Sequence, residues 1–468
     1  MMKTYLIAVS FLLTSLFSNA QNIVGQWYGV LKVQATQLRL VFNISKTETG
    51  YSAKMDSPDQ GTKGIPVTSI SFENDVLKIS IPKAKIEYEG TLNNEQKIIG
   101  NFKQGGYTMP LNLGREEIKK EKPRRPQEPK EPFNYYIEEV EFENTNANIS
   151  LAGTLTMPGK EGNYPAVILI TGSGPQNRDE ALLGHKPFWV LADYLTKQGI
   201  AVLRFDDRGT AASTGNFATA TTADFATDVE AAIKYLQTRK EINQKKIGLM
   251  GHSEGGTIAP VIAARNKDIN FIVMLAGTGI RGDELLLLQE ALIAKASGSS
   301  DADIKKSQTI NRAAFDIVLK STSIETLKKD LKKYFKEVIN DIPASEKPKD
   351  MNEEDFINLQ LKQLATPWMQ YFIKFNPAAD LGKVKCAVLA INGEKDLQVP
   401  PKENLTAIEK ALIKAGNKKY TIKTFPNLNH LFQECKTGSP DEYAAIEQTF
   451  SPTALEAIGK WIVETTKN

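Results

Sequence analysis

The chain has 468 residues, 24% of them charged and 41% hydrophobic, with a formal net charge of +3. That length exceeds what one hydrophobic core ordinarily organises and implies two or three domains. The nearly balanced charge, with no basic stripe interleaved with aromatics, argues against nucleic acid as a partner, and two cysteines and three histidines without ligand spacing argue against a metal site.

The first twenty residues read as a signal peptide rather than as part of a fold. Lys3 supplies a positive charge, residues 6–17 are almost wholly apolar, and Ser18 and Ala20 are the small residues that a signal peptidase reads, with cleavage before Gln21. The apolar run is too short to span a membrane comfortably, and no cysteine follows it that could carry a lipid anchor. The expectation is an exported protein, periplasmic or extracellular, without membrane insertion after cleavage. The two cysteines, Cys386 and Cys435, are expected as free thiols, since a domain of this size needs no disulfide.

Residues 21–115 read as a small all-β domain. Segments 25–31, 38–44, 67–72, 76–81 and 85–89 alternate apolar with polar residues, and Asn93-Asn94 and Gly105-Gly106 are turn signals. An antiparallel barrel or sandwich follows. The opening Gly25-x-Trp27-x-Gly29 resembles the first strand of lipocalin-like barrels. Such a domain serves either to bind a substrate tail or partner or simply to pack or dimerise. Residues 116–132 carry four prolines and a single aliphatic side chain among alternating charges, which suits a solvated, extended linker.

From residue 133 to 468 strands and helices alternate. A leading hairpin (135–143 and 149–157) precedes apolar strands at 165–170, 200–205, 247–250, 271–276 and 386–391 and a last strand at 419–425, with helices at 188–198, 225–236, 257–265, 403–415 and 452–465. Parallel strands need helical crossovers, so the class is α/β with a doubly wound, mostly parallel sheet. Between about 279 and 380 the alternation stops and four amphipathic helices follow one another, at 284–296, 304–319, 324–338 and 355–364. An insertion of that length is expected to form a helical cap over the active site. Trp368, Phe372 and Phe375 at its end suit either an acyl pocket or plain core.

The chemistry centres on Gly251-x-Ser253-x-Gly255, placed between a strand and a helix. A serine at such a sharp turn has its hydroxyl pushed out of the sheet, and side chains two positions away on either side would collide with the crossing strand and helix. Asp396 lies in the turn after the 386–391 strand, where the acid of a triad belongs; its rivals are Asp206, Asp207 and Asp283. Of the three histidines, His185 precedes the first helix and His252 adjoins the serine and points away from it. His430 follows the last strand and completes the order Ser253, Asp396, His430. The loop after the 165–170 strand contains Gly172 and Gly174, so the oxyanion donors are expected to be the backbone amides of Ser173 and Glu254. Asp206, Asp207 and Arg208 are expected to pair and hold their loop.

Taken as a set, Gly172 to Asp179, Phe205 to Gly209, Gly251 to Gly256, Asn392 to Asp396 with Gln398 to Pro400, and Asn429-His430 resemble the α/β-hydrolase superfamily. Within it they are most similar to secreted bacterial esterases and serine-aminopeptidase-like hydrolases. The resemblance covers about residues 133–468 and implies a catalytic serine, histidine and aspartate at the positions chosen, a two-amide oxyanion hole and no cofactor. One departure is the charged Glu254 directly after the nucleophile. The first expectation is a carboxylesterase acting on a small-molecule ester. The second is a peptidase releasing N-terminal residues, with Glu353, Glu354 and Asp355 as candidate acids for a substrate ammonium. The third is a non-catalytic binding protein.

Overall fold

The computed structural model describes residues 23–33, 36–104, 107–119, 124–343, 346–347 and 351–467. The expected signal peptide and the Gly105-Gly106 turn lie outside the described residues. The chain divides into two compact units at Lys122/Pro123.

The first unit is an antiparallel meander of strands β1 (Gly25–Val33), β2 (Thr36–Thr47), β3 (Gly50–Ser57), β4 (Thr62–Pro66), β5 (Ser69–Glu73), β6 (Val76–Ile81), β7 (Ile86–Leu92), β8 (Ile98–Gln104) and β9 (Tyr107–Pro110). They form a four-stranded sheet, β1 to β4, and a five-stranded sheet, β5 to β9, each in chain order. Two seams join them. Val67 N–H donates to the Ala53 carbonyl and Thr68 N–H to that of Ser80 on one side; on the other, residues 111–114 exchange backbone hydrogen bonds with both Tyr28 and Ile98. The meander thereby closes as a barrel. Its interior is filled by Trp27, Phe42, Tyr88 and Phe102, and the Trp27 indole N–H reaches the Ile23 carbonyl at 2.7 Å. Gly29 has a packing reason: a side chain there would strike Leu111 and Leu113 on the segment that closes the barrel.

The second unit is built on an eight-stranded sheet of β10 (Tyr136–Asn144), β11 (Ile149–Met157), β12 (Tyr164–Ile170), β13 (Ala201–Phe205), β14 (Ile242–His252), β15 (Phe271–Leu275), β16 (Ala387–Gly393) and β17 (Tyr420–Phe425). The spatial order is β10-β11-β13-β12-β14-β15-β16-β17. Only β11 runs against its neighbours; from β13 to β17 every pairing is parallel. This is a doubly wound, mostly parallel sheet, as the alternation of strands and helices implied. Helices α1 (Pro187–Lys197) and α11 (Pro452–Thr466) cover one face, and α2 (Thr222–Gln237), α3 (Glu254–Ala263) and α10 (Pro401–Lys414) cover the other. Covered on both sides, the central strands are almost continuously apolar, as in β12 and β13.

The insertion between β15 and β16 is helical throughout its regular part: α4 (Gly282–Ala296), α5 (Asp301–Lys320), α6 (Ile324–Val338), α7 (Glu353–Leu364) and α8 (Pro367–Lys374), followed by the single turn α9 (Ala378–Leu381). Ser300, Ser323, Asn352 and Thr366 cap α5 to α8 by accepting the N–H three residues on. Phe315, Leu331, Phe335, Phe356 and Ile373 make a core that belongs to the insertion itself. Both cysteines are free.

The proline-rich stretch differs from the extended linker expected of it. The Arg125 guanidinium donates to the carbonyls of Leu183, Gly184, Ala444 and Ile446. The Gln127 side chain bonds the backbone of Thr449 and Phe450. Two long polar side chains thus hold residues 124–132 against the rest of the second unit, even though these residues include no aliphatic side chain to bury.

Candidate active site

β14 ends at His252 and α3 begins at Glu254, leaving Ser253 alone at the apex with φ 52° and ψ −112°. A non-glycine residue held there stores on the order of 1–3 kcal/mol of strain. The surrounding close approaches enforce it. A Cβ on Gly251 would overlap the Gly255 carbonyl, and one on Gly255 would overlap the Ile170 carbonyl at the end of β12. The Ser253 N–H is held by the Leu275 carbonyl at 2.8 Å. Glu254 opens α3, so its amide is among those with no acceptor inside the helix.

The acid and the base stand at the carboxyl ends of the next two strands, where open α/β sheets place their ligands. Asp396 follows β16. Its Oδ1 accepts the N–H groups of Gln398 and Val399, both at 2.8 Å, and its Oδ2 lies 2.8 Å from His430 Nδ1. His430 follows β17 in a turn that Asn429 organises by accepting from Leu431 and Gln433. The Asp396 and His430 side chains are 0% and 5% exposed.

The three rival aspartates have other partners. Asp206 pairs with Arg178 and accepts two backbone N–H groups. Asp283 is clamped between Arg281 and Arg312 at the root of the cap. Asp207 departs from the expectation of an ion pair. It accepts the Thr171 hydroxyl and the Gln176 N–H and so buttresses the loop carrying Ser173. Burial pushes its carboxyl up to about 7, against the pull of those two hydrogen bonds. Arg208 pairs with Asp228 instead. His185 is buried, bonded to Thr449 and the Tyr443 carbonyl.

The Ser173 loop meets the elbow at Gly172, where an added Cβ would lie 3.4 Å from that of Ser253. The Gly172 N–H donates to Glu180 Oε1 at 2.8 Å, and the same oxygen lies 2.9 Å from His252 Nδ1. The other ring nitrogen of His252 lies 2.9 Å from the His430 carbonyl, with the two rings 4.7 Å apart. Glu180 carried no signal in the sequence, and His252 was set aside because it is not the base. Only folding brings these two together across 72 positions.

Glu254 points away from the serine into a buried niche, where its Oε1 accepts from Thr222 of α2 at 2.6 Å and from the Trp368 indole of α8 at 2.8 Å. Burial raises its pKa above the usual carboxylate value. Trp368 stacks on Phe372, ring centres 5.1 Å apart, and Phe375 stacks on Tyr371, so these aromatics are half-buried surfaces of the cap rather than plain core. A second link joins Gln289 of α4 to Gln398, two residues past Asp396. Within the cap a cavity of about 700 Å³ is bounded by Leu286, Gln289, Ile293, Phe335, Leu364 and Met369 among others. Gln289 and Met369 therefore connect the cavity wall to the segments carrying Asp396 and, through neighbouring Trp368, Glu254. Glu353, Glu354 and Asp355 sit exposed in the first turn of α7 and are not part of that wall.

Residues 229–435, which contain Ser253, Asp396 and His430, match the family described as BAAT / Acyl-CoA thioester hydrolase C terminal. The chain is 25% identical over 334 residues to esterase EstD of Thermotoga maritima, covering 70% of this chain and 69% of that protein. Among solved structures, it is similar to the Pyrococcus furiosus esterase Pf2001, with 16% identity, 71% of this chain and 91% of the other covered, and a TM-score of 0.42. It is also similar to Est1E from Butyrivibrio proteoclasticus with ferulic acid bound, with 16% identity, coverage of 70% and 100%, and a TM-score of 0.41.

Proposed function

We propose that this α/β hydrolase cleaves carboxylic esters of small-molecule substrates through an acyl-enzyme on Ser253. His430 takes the serine proton as the hydroxyl oxygen attacks the carbonyl carbon, then gives it to the departing alcohol. Asp396 holds the ring through Nδ1 and stabilises its cation. The tetrahedral oxyanion rests on the amides of Ser173 and Glu254, each worth on the order of 3 kcal/mol in such a site. Water activated by His430 then releases the acid. The observation that carries this reading is the Asp396–His430 hydrogen bond at 2.8 Å at the mouth of a sheet whose elbow strains Ser253. The match to esterase EstD supports ester as the bond class, and the cap cavity offers room for the acyl chain.

An acyl thioester is the second reading, favoured by the family match over residues 229–435. Its chemistry is the same with a thiol leaving group. The peptidase reading loses its named support, because Glu353, Glu354 and Asp355 face solvent at a helix start, where they favour the helix dipole. Export by the N-terminal twenty residues stays part of the proposal, which places hydrolysis outside the cytoplasm.

The test compares p-nitrophenyl esters of increasing acyl length, acyl-CoA and aminoacyl-p-nitroanilides, with a fluorophosphonate label on Ser253. Turnover of esters with covalent labelling is expected. Failure of the label to attach while the protein remains folded would overturn the enzymatic reading and leave the binding-protein one.

A further inference from the structure

Between the three parts of the candidate site runs a hydrogen-bonded chain that takes no part in the mechanism above. It starts at the Gly172 N–H, passes through Glu180 Oε1 to His252 Nδ1, crosses the ring, and ends from Nε2 on the His430 carbonyl, with links of 2.8, 2.9 and 2.9 Å. Each end is one residue or less from a reacting group: Gly172 precedes Ser173, His252 precedes Ser253, and the carbonyl is that of His430 itself. We propose that Glu180 and His252 are positioning residues, a buried carboxylate–imidazolium strut that sets the oxyanion loop and the base at fixed distances from the nucleophile. The proposal rests on the serine-hydrolase reading of the site.

The charge state follows from counting hydrogens. Both ring nitrogens of His252 face oxygen acceptors, and a neutral imidazole has one N–H to offer. Only the doubly protonated ring satisfies both. Glu180 Oε1 already accepts the Gly172 N–H, and a carboxylic acid is about 2 pKa units more acidic than an imidazolium, so the shared proton resides on the ring. Both residues are buried, at 4% and 7% exposure. An unpaired charge of either sign would be strongly unfavourable there, and removing one partner strands the other. Burial works against the His252 cation, but the Glu180 charge and hydrogen bond, the His430 carbonyl and the nearby Asp396 charge together raise its pKa.

The geometry also explains why the strut spans these points and no others. Gly172 lies two residues past β12 and His252 ends β14, its neighbour in the sheet, while His430 lies in the turn beyond β17, three strands further across, so the oxyanion loop and the base loop both extend beyond the sheet that holds the nucleophile. Loops alone are poor at holding reacting groups, and a misplacement of 1 Å reduces turnover by about a hundredfold. A rigid ring bonded at both nitrogens fixes the distance from the nucleophile's strand to the base loop, while the carboxylate fixes the oxyanion loop to the same ring.

Nitrogen NMR of the whole protein with labelled histidine tests this on the intact site, since only three histidine rings contribute. The ring signal that is lost in His252→Asn is expected to show both nitrogens protonated at pH 7. A singly protonated, neutral His252 ring at pH 7 overturns the proposal. In parallel, His252→Asn and Glu180→Ala are assayed on p-nitrophenyl butyrate. In both, kcat is expected to fall by about a hundredfold, with KM close to that of the parent and fluorophosphonate labelling of Ser253 slowed in step. Glu180→Gln, which keeps an acceptor for Gly172 but not the charge, is expected to fall between parent and Glu180→Ala. Folded variants with unchanged kcat overturn the strut. Loss of activity in Ser253→Ala with unchanged kcat in these variants separates that outcome from failure of the underlying serine reading.

Discussion

Removing one oxygen at Ser253 is the sharpest intervention available at the scale of a residue. Ser253→Ala keeps the Cβ, the backbone and the bond from its N–H to Leu275, so a loss of activity reports on chemistry rather than on folding. If serine, histidine and aspartate act as a unit, kcat should fall at least about a thousandfold; turnover of p-nitrophenyl butyrate within a few fold of the parent would refute the assignment. Asp207 makes a different prediction, about stability. Its folded pKa of about 7 lies above the ordinary value of 3.8, so the folded state holds a proton that the unfolded chain has already released. Stability is then greatest below the unfolded value and falls as pH rises from about 4 to about 7, by at most about 1.4 kcal/mol per pH unit. Asp207→Asn imitates the protonated form: its amide donates to Thr171 while its oxygen accepts from Gln176. Denaturant melts from pH 4 to pH 8 are expected to show the parent losing more stability over that window than the variant, in which Glu290, also pushed up to about 7 by burial, still titrates; parallel curves would sink the argument. The pairing of Asp396 with His430 was legible because each follows a strand, in a fixed chain order after Ser253. Glu180 was not, because its partners Gly172 and His252 are chosen by how three loops converge.

Among the elements, the cap shows how far local signals reach. Helices α4 to α7 were legible from apolar spacing alone. α8 was read only as three aromatics of undecided role, because eight residues give too few turns for periodicity to show. In the barrel, β3, β4, β8 and β9 escaped notice: β3 and β8 dilute their buried positions with glycine and lysine, and β4 and β9 have no fully buried position at all. The elbow helix was expected from residue 257 but begins at Glu254, since Gly255 and Gly256 read as turn while close packing against β12 and Gly277 requires them inside a helix. The link from α8 to the core has a functional consequence. Trp368→Phe keeps the stack on Phe372 but removes the donor to Glu254, leaving a buried carboxylate with Thr222 as its remaining side-chain partner. The cap should then close less firmly over substrate. KM for long-chain p-nitrophenyl esters is expected to rise several-fold while kcat for p-nitrophenyl acetate changes little; an unchanged KM across the series would show that the indole bond does not govern substrate capture.

For the molecule as a whole, the division at Lys122/Pro123 leaves each unit with buried side chains of its own, one cluster in the first and three in the second among the described residues. Every residue given a chemical role lies in the second unit, so a chain beginning at Pro123 should fold and hydrolyse p-nitrophenyl butyrate with the kcat of the full chain. The point of truncation matters more than composition suggests. A chain beginning at Phe133 looks like the cleaner cut, since it discards only charged residues, prolines and one glutamine. It also discards Arg125 and Gln127, whose side chains bond the backbone at 183–184, 444–446 and 449–450. Those segments lie close to the base: Leu183 and Gly184 precede His185, whose ring nitrogen is bonded by Gln433, and the Gln433 N–H in turn donates to Asn429 in the His430 turn. Each hydrogen bond contributes about 1 kcal/mol net, so the shorter chain should melt several degrees below the longer one. Its kcat should fall as well, because the turn that aims His430 loses part of its support. Equal melting temperatures and equal turnover for the two chains would return residues 124–132 to the role of a passive spacer.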